Sequence, residues 1–244
     1  MTLELLLAVL FFGAAILYAT VGHAGASAYL AVMALAGMEP SVMRPTALAM
    51  NVAVACLVSI QFARSGYVQW RAVLPFAAAS VPMAFVGGSI QLPAEVYRVL
   101  VGLVLLAAAG RFGLRPGGGE ERPTQARTLP ALAVGAVIGL LAGLSGTGGG
   151  IFLTPVLILA GWSGTRHAAG TSALFILLTS AAGLVGVLRA GAQPADALPL
   201  WMGAVLLGGL IGSELGARRL PATGLRRALG VVLAIAGLKL ILVG

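Results

Sequence analysis

Ten apolar runs follow one another along this chain, at roughly 3–21, 26–38, 45–63, 71–90, 96–111, 129–144, 150–162, 168–188, 197–216 and 224–243. Most approach the ~20 residues that a helix needs to cross a bilayer. Only 9% of the residues are charged, where a soluble domain carries about 25%. Such a chain cannot cover itself with a surface that water accepts. The expected fold is an all-α polytopic membrane protein. The first run lacks a basic stretch before it and reads as a membrane helix rather than a cleaved signal. The net charge of +8 would suit nucleic acid, but the basic residues cluster in the gaps between runs, as topology signals do. No nucleic-acid partner is expected. The single cysteine, Cys56, lies in an apolar run, which excludes a disulfide framework and a thiolate metal site.

Two runs, 26–38 and 150–162, are short, and each follows a glycine break. The second break is Leu144-Ser-Gly-Thr-Gly-Gly-Gly150, and the first is Gly22-His-Ala-Gly-Ala26. Each glycine costs a helix about 1 kcal/mol relative to alanine. A break at membrane depth leaves backbone N–H and C=O groups that lipid cannot satisfy, so it must be buried in protein or line a polar cavity. The two short runs are expected to be half-helices or re-entrant pieces, giving eight to ten helical segments.

The breaks belong to an internal repeat. Gly22 to Ala26 falls on Gly146 to Gly150, Ala36-Gly37 on Ala160-Gly161, Thr46-Ala47 on Thr171-Ser172, Leu92-Pro93 on Leu220-Pro221, and Gly102 on Gly230. The order of landmarks is kept, which divides the chain into a first repeat (1–110), a polar cytoplasmic connector (111–128) and a second repeat (129–244). The connector's Gly117-Gly-Gly119 lacks the Lys-Ser/Thr of a phosphate-binding loop. If every segment crosses, eleven basic residues fall on the connector's side and four (Arg44, Arg98, Arg189, Lys239) on the other. That bias follows the positive-inside rule. Each half then has an odd number of segments and the repeats are inverted, as in many secondary transporters. If the short segments do not cross, the repeats are parallel.

Helix-start N–H groups and the positive end of the helix dipole make the breaks an anion-binding candidate. The residues are Gly22 and Gly25 in one break and Ser145, Gly146, Thr147, Gly148 and Gly149 in the other. His23 can donate to an anion or take a coupling proton. Thr46, Thr171 and Ser172 lie near the starts of the third and eighth segments, where their hydroxyls can face the breaks or cap their own helices. Asn51, beyond Thr46, is an amide that lipid would not accept, so it faces a partner helix or the cavity. Trp70, Trp162 and Trp201 sit at segment ends, as interfacial anchors do. Ser27 in Gly25-Ala-Ser-Ala28, with His23 and His167, approaches the Gly-x-Ser-Gly of rhomboid-type intramembrane proteases. The final glycine is missing and the histidines are badly placed, so this reading ranks last. No carboxylate pair, metal cluster or cofactor fingerprint appears, and the chain is not read as an enzyme.

Gly143-Leu-Ser-Gly-Thr-Gly-Gly-Gly150, then Pro155 and Ala169-Gly-Thr-Ser172, resembles the second-half signature of the TauE/SafE family of sulfite and organosulfonate exporters. Gly22-His-Ala-Gly25 and Arg44-Pro-Thr46 resemble the first-half signature. The resemblance implies a multi-pass carrier of sulfite, sulfoacetate or related sulfonates in a bacterial-type inner membrane. It also carries the binding role onto the breaks and onto Thr46, Thr171 and Ser172. The first half departs from the pattern: Ala24 and Ala26 stand where the second half has glycine, and Ala47 stands where it has Ser172. The expected mechanism is export by alternating access, driven by a proton or sodium gradient or by the anion's own gradient. A passive anion channel with the same site is the alternative.

Overall fold

The computed structural model describes residues 2–113 and 128–218, with positions 234, 237, 238, 241 and 242 beyond them. Most of the expected connector and of the last apolar run, with Pro221 and Gly230, lies outside the described residues. The described chain is helical: α1 (Thr2–Ala19), α2 (Ala26–Leu35), α3 (Pro40–Arg64), α4 (Trp70–Ser89), α5 (Ala94–Gly113), α6 (Thr128–Ser145), α7 (Gly150–Leu159), α8 (Thr165–Arg189) and α9 (Leu198–Arg218). Among the described residues, the five helices α3, α4, α6, α8 and α9 are long and apolar enough to cross a membrane. Leu6, Leu74, Val137 and Leu207 point outward from the bundle, a surface suited to lipid. The protein is a polytopic helical membrane protein.

Both short runs are half-helices. At ten residues each and about 1.5 Å per residue, α2 and α7 reach only halfway across the ~30 Å hydrocarbon layer. Each starts on a glycine with positive φ, Gly25 (φ 102°) and Gly149 (φ 77°), a conformation that a β-carbon makes costly. The chain therefore turns sharply at the break, and α2 doubles back along α1. The Tyr18 hydroxyl lies 2.6 Å from Ser27 Oγ, and Phe11 packs edge-on against Tyr29.

Element lengths recur through the chain. Helices α1 and α6 have 18 residues, α2 and α7 have 10, α3 and α8 have 25, and α4 and α9 have 20 and 21. The packing recurs as well. Helix α4 packs on α6 while α9 packs on α1, and the two long helices α3 and α8 pack on each other. Helices α3 and α8 run antiparallel. The Ala195 N–H, beyond the end of α8, donates to Thr46 Oγ1 near the start of α3. The Gln69 N–H, beyond the end of α3, donates to Thr171 Oγ1 near the start of α8. Corresponding helices thus point in opposite directions even though the short segments do not cross, because α2 reverses the chain. The parallel arrangement does not apply.

Two local expectations change. Helix α3 begins at Pro40 rather than near residue 45, because proline at a first helical turn loses no hydrogen bond. Trp201 is no interfacial anchor: it is buried, its indole N–H donates to the Glu4 carbonyl, and its ring packs on Phe11. Trp70 is exposed, as an anchor requires.

Candidate functional site

The two breaks meet. His23, in the first, directs Nε2 to the Gly150 carbonyl at 3.1 Å. The starts of α2 and α7 open onto one small cavity of about 10 Å³. Gly25, Ala26 and Ser27 line it from one side and Thr147, Gly150 and Ile151 from the other, with Tyr18, His23, Asn51 and Ile176 between them.

The hydrogen bonding of the breaks is lopsided. Their carbonyls are taken up by side chains. Tyr29 donates to Ala24 O (2.6 Å), Tyr97 to Ser145 O (3.1 Å), Thr179 to Gly148 O (2.8 Å) and Thr154 to Gly150 O (3.0 Å). The helix-start donors are left over. Neither Gly25 nor Gly149 supplies a side-chain cap. Among the described residues no acceptor meets the N–H groups of Ser27, Ala28, Gly150 or Ile151, and only Ala26 N–H is met, by Asn51 Oδ1 at 3.1 Å. Two helix N-termini, each with the positive end of a dipole, thus face one small space with unused donors. That is the chemistry of an oxyanion site.

Asn51 joins the halves. Its Oδ1 holds the start of α2, and its Nδ2 donates to Ser180 Oγ on α8 at 2.8 Å. Gly148 backs this bond: a β-carbon there would collide with both Asn51 Nδ2 and Ser180 Oγ. His23 is held at both nitrogens. Nδ1 lies 3.1 Å from Val21 O, and Nε2 is shared between Gly150 O and Thr154 Oγ1, both at 3.1 Å. A neutral imidazole has one N–H and can donate to one of the two carbonyls; a second proton allows both bonds.

The sequence candidates divide. His23, Gly25, Asn51 and Thr147 line the cavity. Ser172 is one bond removed: its hydroxyl lies 2.8 Å from that of Thr154, which also meets His23. Ser145 bonds Thr147 across 2.8 Å. Gly149 shapes the start of α7. Gly22 packs against Ala169, and Gly146 against Arg44. Thr46 and Thr171 are not in the cavity. Each also sits at a helix start and accepts a backbone N–H from a loop of the opposite half. Sequence reasoning missed Tyr18, Thr154 and Ser180 entirely and weighed Ser27 only as a nucleophile. In the structure Ser27 bonds Tyr18, and His167 packs on Tyr67, so no Ser–His pair forms.

This geometry defines a class: a helical membrane protein with two broken helices whose starts converge on a buried, donor-rich cavity, as in secondary transporters. The sequence profile described as "Sulfite exporter TauE/SafE" matches residues 6–240, and the chain belongs to that family. A "Probable membrane transporter protein y4hK" of Sinorhizobium fredii is 42% identical over 96% of this chain and 97% of its own length. A "Probable membrane transporter protein" of Xylella fastidiosa is 32% identical over 72% of this chain and 71% of its own length. No solved structure matches the chain. The protein is a membrane transporter and not an enzyme.

Proposed function

We propose that this protein exports small sulfur oxyanions, sulfite or a short organosulfonate, across a bacterial-type inner membrane by alternating access. One observation carries the reading: the starts of α2 and α7 face one cavity with unsatisfied N–H groups, while the neighbouring carbonyls are taken up by side chains. A lipid-buried cavity with donors in excess favours an anion over a cation or a neutral solute. The enclosed space is only about 10 Å³, room for about one water molecule, so the cavity suits a small cargo and must widen to admit it.

In the proposed cycle the anion replaces its water shell with the N–H groups of Ser27, Ala28, Gly150 and Ile151 and with hydroxyls of Tyr18, Ser27 and Thr147. His23 takes the coupling proton. Its added N–H binds the second carbonyl and adds positive charge beside the anion. The two halves, joined across Asn51 and Ser180, rock about the breaks to open the cavity to either face. The connector side, rich in arginine, is cytoplasmic.

The test is sulfite flux in proteoliposomes containing purified protein. Gly150→Ala is the informative variant. Gly150 lacks the positive φ of Gly148 and Gly149, and its new methyl would overlap Cγ1 and Cδ1 of Ile176, whose side chain must shift, and approach His23. The variant should insert and fold normally yet lose at least tenfold in flux. Wild-type flux from a folded Gly150→Ala protein would sink the site. Linear, non-saturating flux in the wild type would mark a channel instead.

A further inference from the structure

Arg44 is the cation most deeply placed beside the breaks. It lies in the second turn of α3 and is only 5% exposed. Its guanidinium donates to three carbonyls at the end of α4: Nη1 to Ile90 O at 2.9 Å, and Nη2 to Gly87 O at 2.6 Å and to Gly88 O. Every acceptor is a backbone carbonyl; none is a carboxylate. Nε is buried with no hydrogen-bond partner. The side chain's Cγ lies 3.1 Å from where a β-carbon of Gly146 would be, so the stem that carries the charge packs on the second break.

A cap for α4 does not account for this residue. The C-terminus of a helix supplies only about half a negative charge, and an arginine that serves as a cap can keep its head in water. Here the whole side chain is buried, and an uncompensated positive remainder stays in a medium of low dielectric constant. Nor does the helix junction itself need a cation. Helix α8 starts at Thr165 as α3 starts at Pro40, which places Ala169 where α3 has Arg44. That methyl-bearing residue packs on Gly22 as Arg44 packs on Gly146. One half closes the junction with a methyl group and the other with a buried charge.

We infer that Arg44 is the charge-selecting residue of the transport path, holding a positive potential at one end of the site that draws the anion in. It stands seven residues, about two helical turns, from the cavity-lining Asn51 on the same face of α3. Three of the five guanidinium N–H donors are used, and the buried Nε–H is among those left for an oxyanion oxygen. The inference rests on the anion-carrier reading above and gives the carrier a residue that decides the sign of its cargo.

The experiment compares wild type, Arg44→Gln and Arg44→Lys in sulfite-flux assays and in thermal unfolding with and without sulfite. Arg44→Gln should raise KM at least tenfold and abolish the sulfite-induced rise in Tm, while Arg44→Lys, which keeps the charge, should restore KM to within about threefold. A folded Arg44→Gln protein with wild-type KM and wild-type sulfite shift overturns the inference. If Arg44→Gln does not fold, Arg44→Lys decides: a lowered Tm with unchanged KM supports charge selection, and a tenfold rise in KM despite the retained charge overturns it. Wild-type protein that neither moves sulfite nor responds to it defeats the carrier reading, a result separate from any behaviour of the variants.

Discussion

Asn51 shows how much one side chain can be asked to do. It is buried, and both ends of its amide are used, one on Ala26 N–H and the other on Ser180 Oγ. Asn51→Leu orphans two buried polar groups, each costing about 1–3 kcal/mol, and should lower Tm measurably in detergent. Asn51→Asp is the sharper variant. A carboxylate accepts from both Ala26 N–H and the Ser180 hydroxyl, so the fold should survive. It also places a negative charge on the wall of the proposed anion site. Sulfite KM should rise at least tenfold with Tm little changed, read by proteoliposome flux and thermal unfolding. That Asn51 faces a partner or a cavity was legible from its being an amide in an apolar run. That it does both was not, because the Ser180 partner lies 129 residues away.

At the scale of elements, the bundle is held by two glycine ladders. On α6, Gly135, Gly139 and Gly143 lie against the carbonyls of Phe76, Ser80 and Ala84 of α4. On α9, Gly208, Gly212 and Gly216 lie against Phe12 and Ile16 of α1 and Thr20 just beyond it. In lipid no hydrophobic force joins two apolar helices, so close backbone approach supplies the contact. Gly139→Leu and Gly212→Leu should each force a helix pair apart and yield aggregated protein on size-exclusion chromatography. Gly203 on α9 is the control, since a β-carbon there meets nothing within 4 Å. Gly203→Ala should keep the protein monodisperse and raise helix stability by up to about 1 kcal/mol. The spacing of these glycines is plain in the sequence. Their partners are not, because small residues at the same spacing recur in several helices, Ser80, Ala84 and Gly88 on α4 and Ala15 and Ala19 on α1 among them.

At the scale of the whole molecule, the antiparallel crossing of α3 and α8 puts the loop after α3 and the loop after α8 on opposite faces. With Cys56 replaced by serine, single cysteines at Ser65 and Gln193, both exposed beyond the ends of α3 and α8, should label from opposite sides of sealed vesicles. Labelling of both from one side would refute the inverted arrangement. Thr46 and Thr171 act at this scale. They are the acceptors through which each half holds a loop of the other, one at each end of the long helices.

Hydropathy, glycine and charge order are properties of the chain taken one position after another. They determined the membrane class, the two breaks, the half-helices and the recurrence of landmarks. The tertiary structure decided which face of each helix looks inward. A membrane helix is apolar toward lipid and apolar toward its neighbours, so it lacks the polar stripe that marks the outer face of a soluble helix. A hydroxyl on such a helix cannot be assigned a direction until its partner is placed. For that reason the loop N–H groups that Thr46 and Thr171 accept were not legible in the sequence. Tyr18, Thr154 and Ser180 passed unnoticed into the core. Arg44, read in the sequence as a charge in a gap and as part of a family signature, emerged as a buried cation beside the second break.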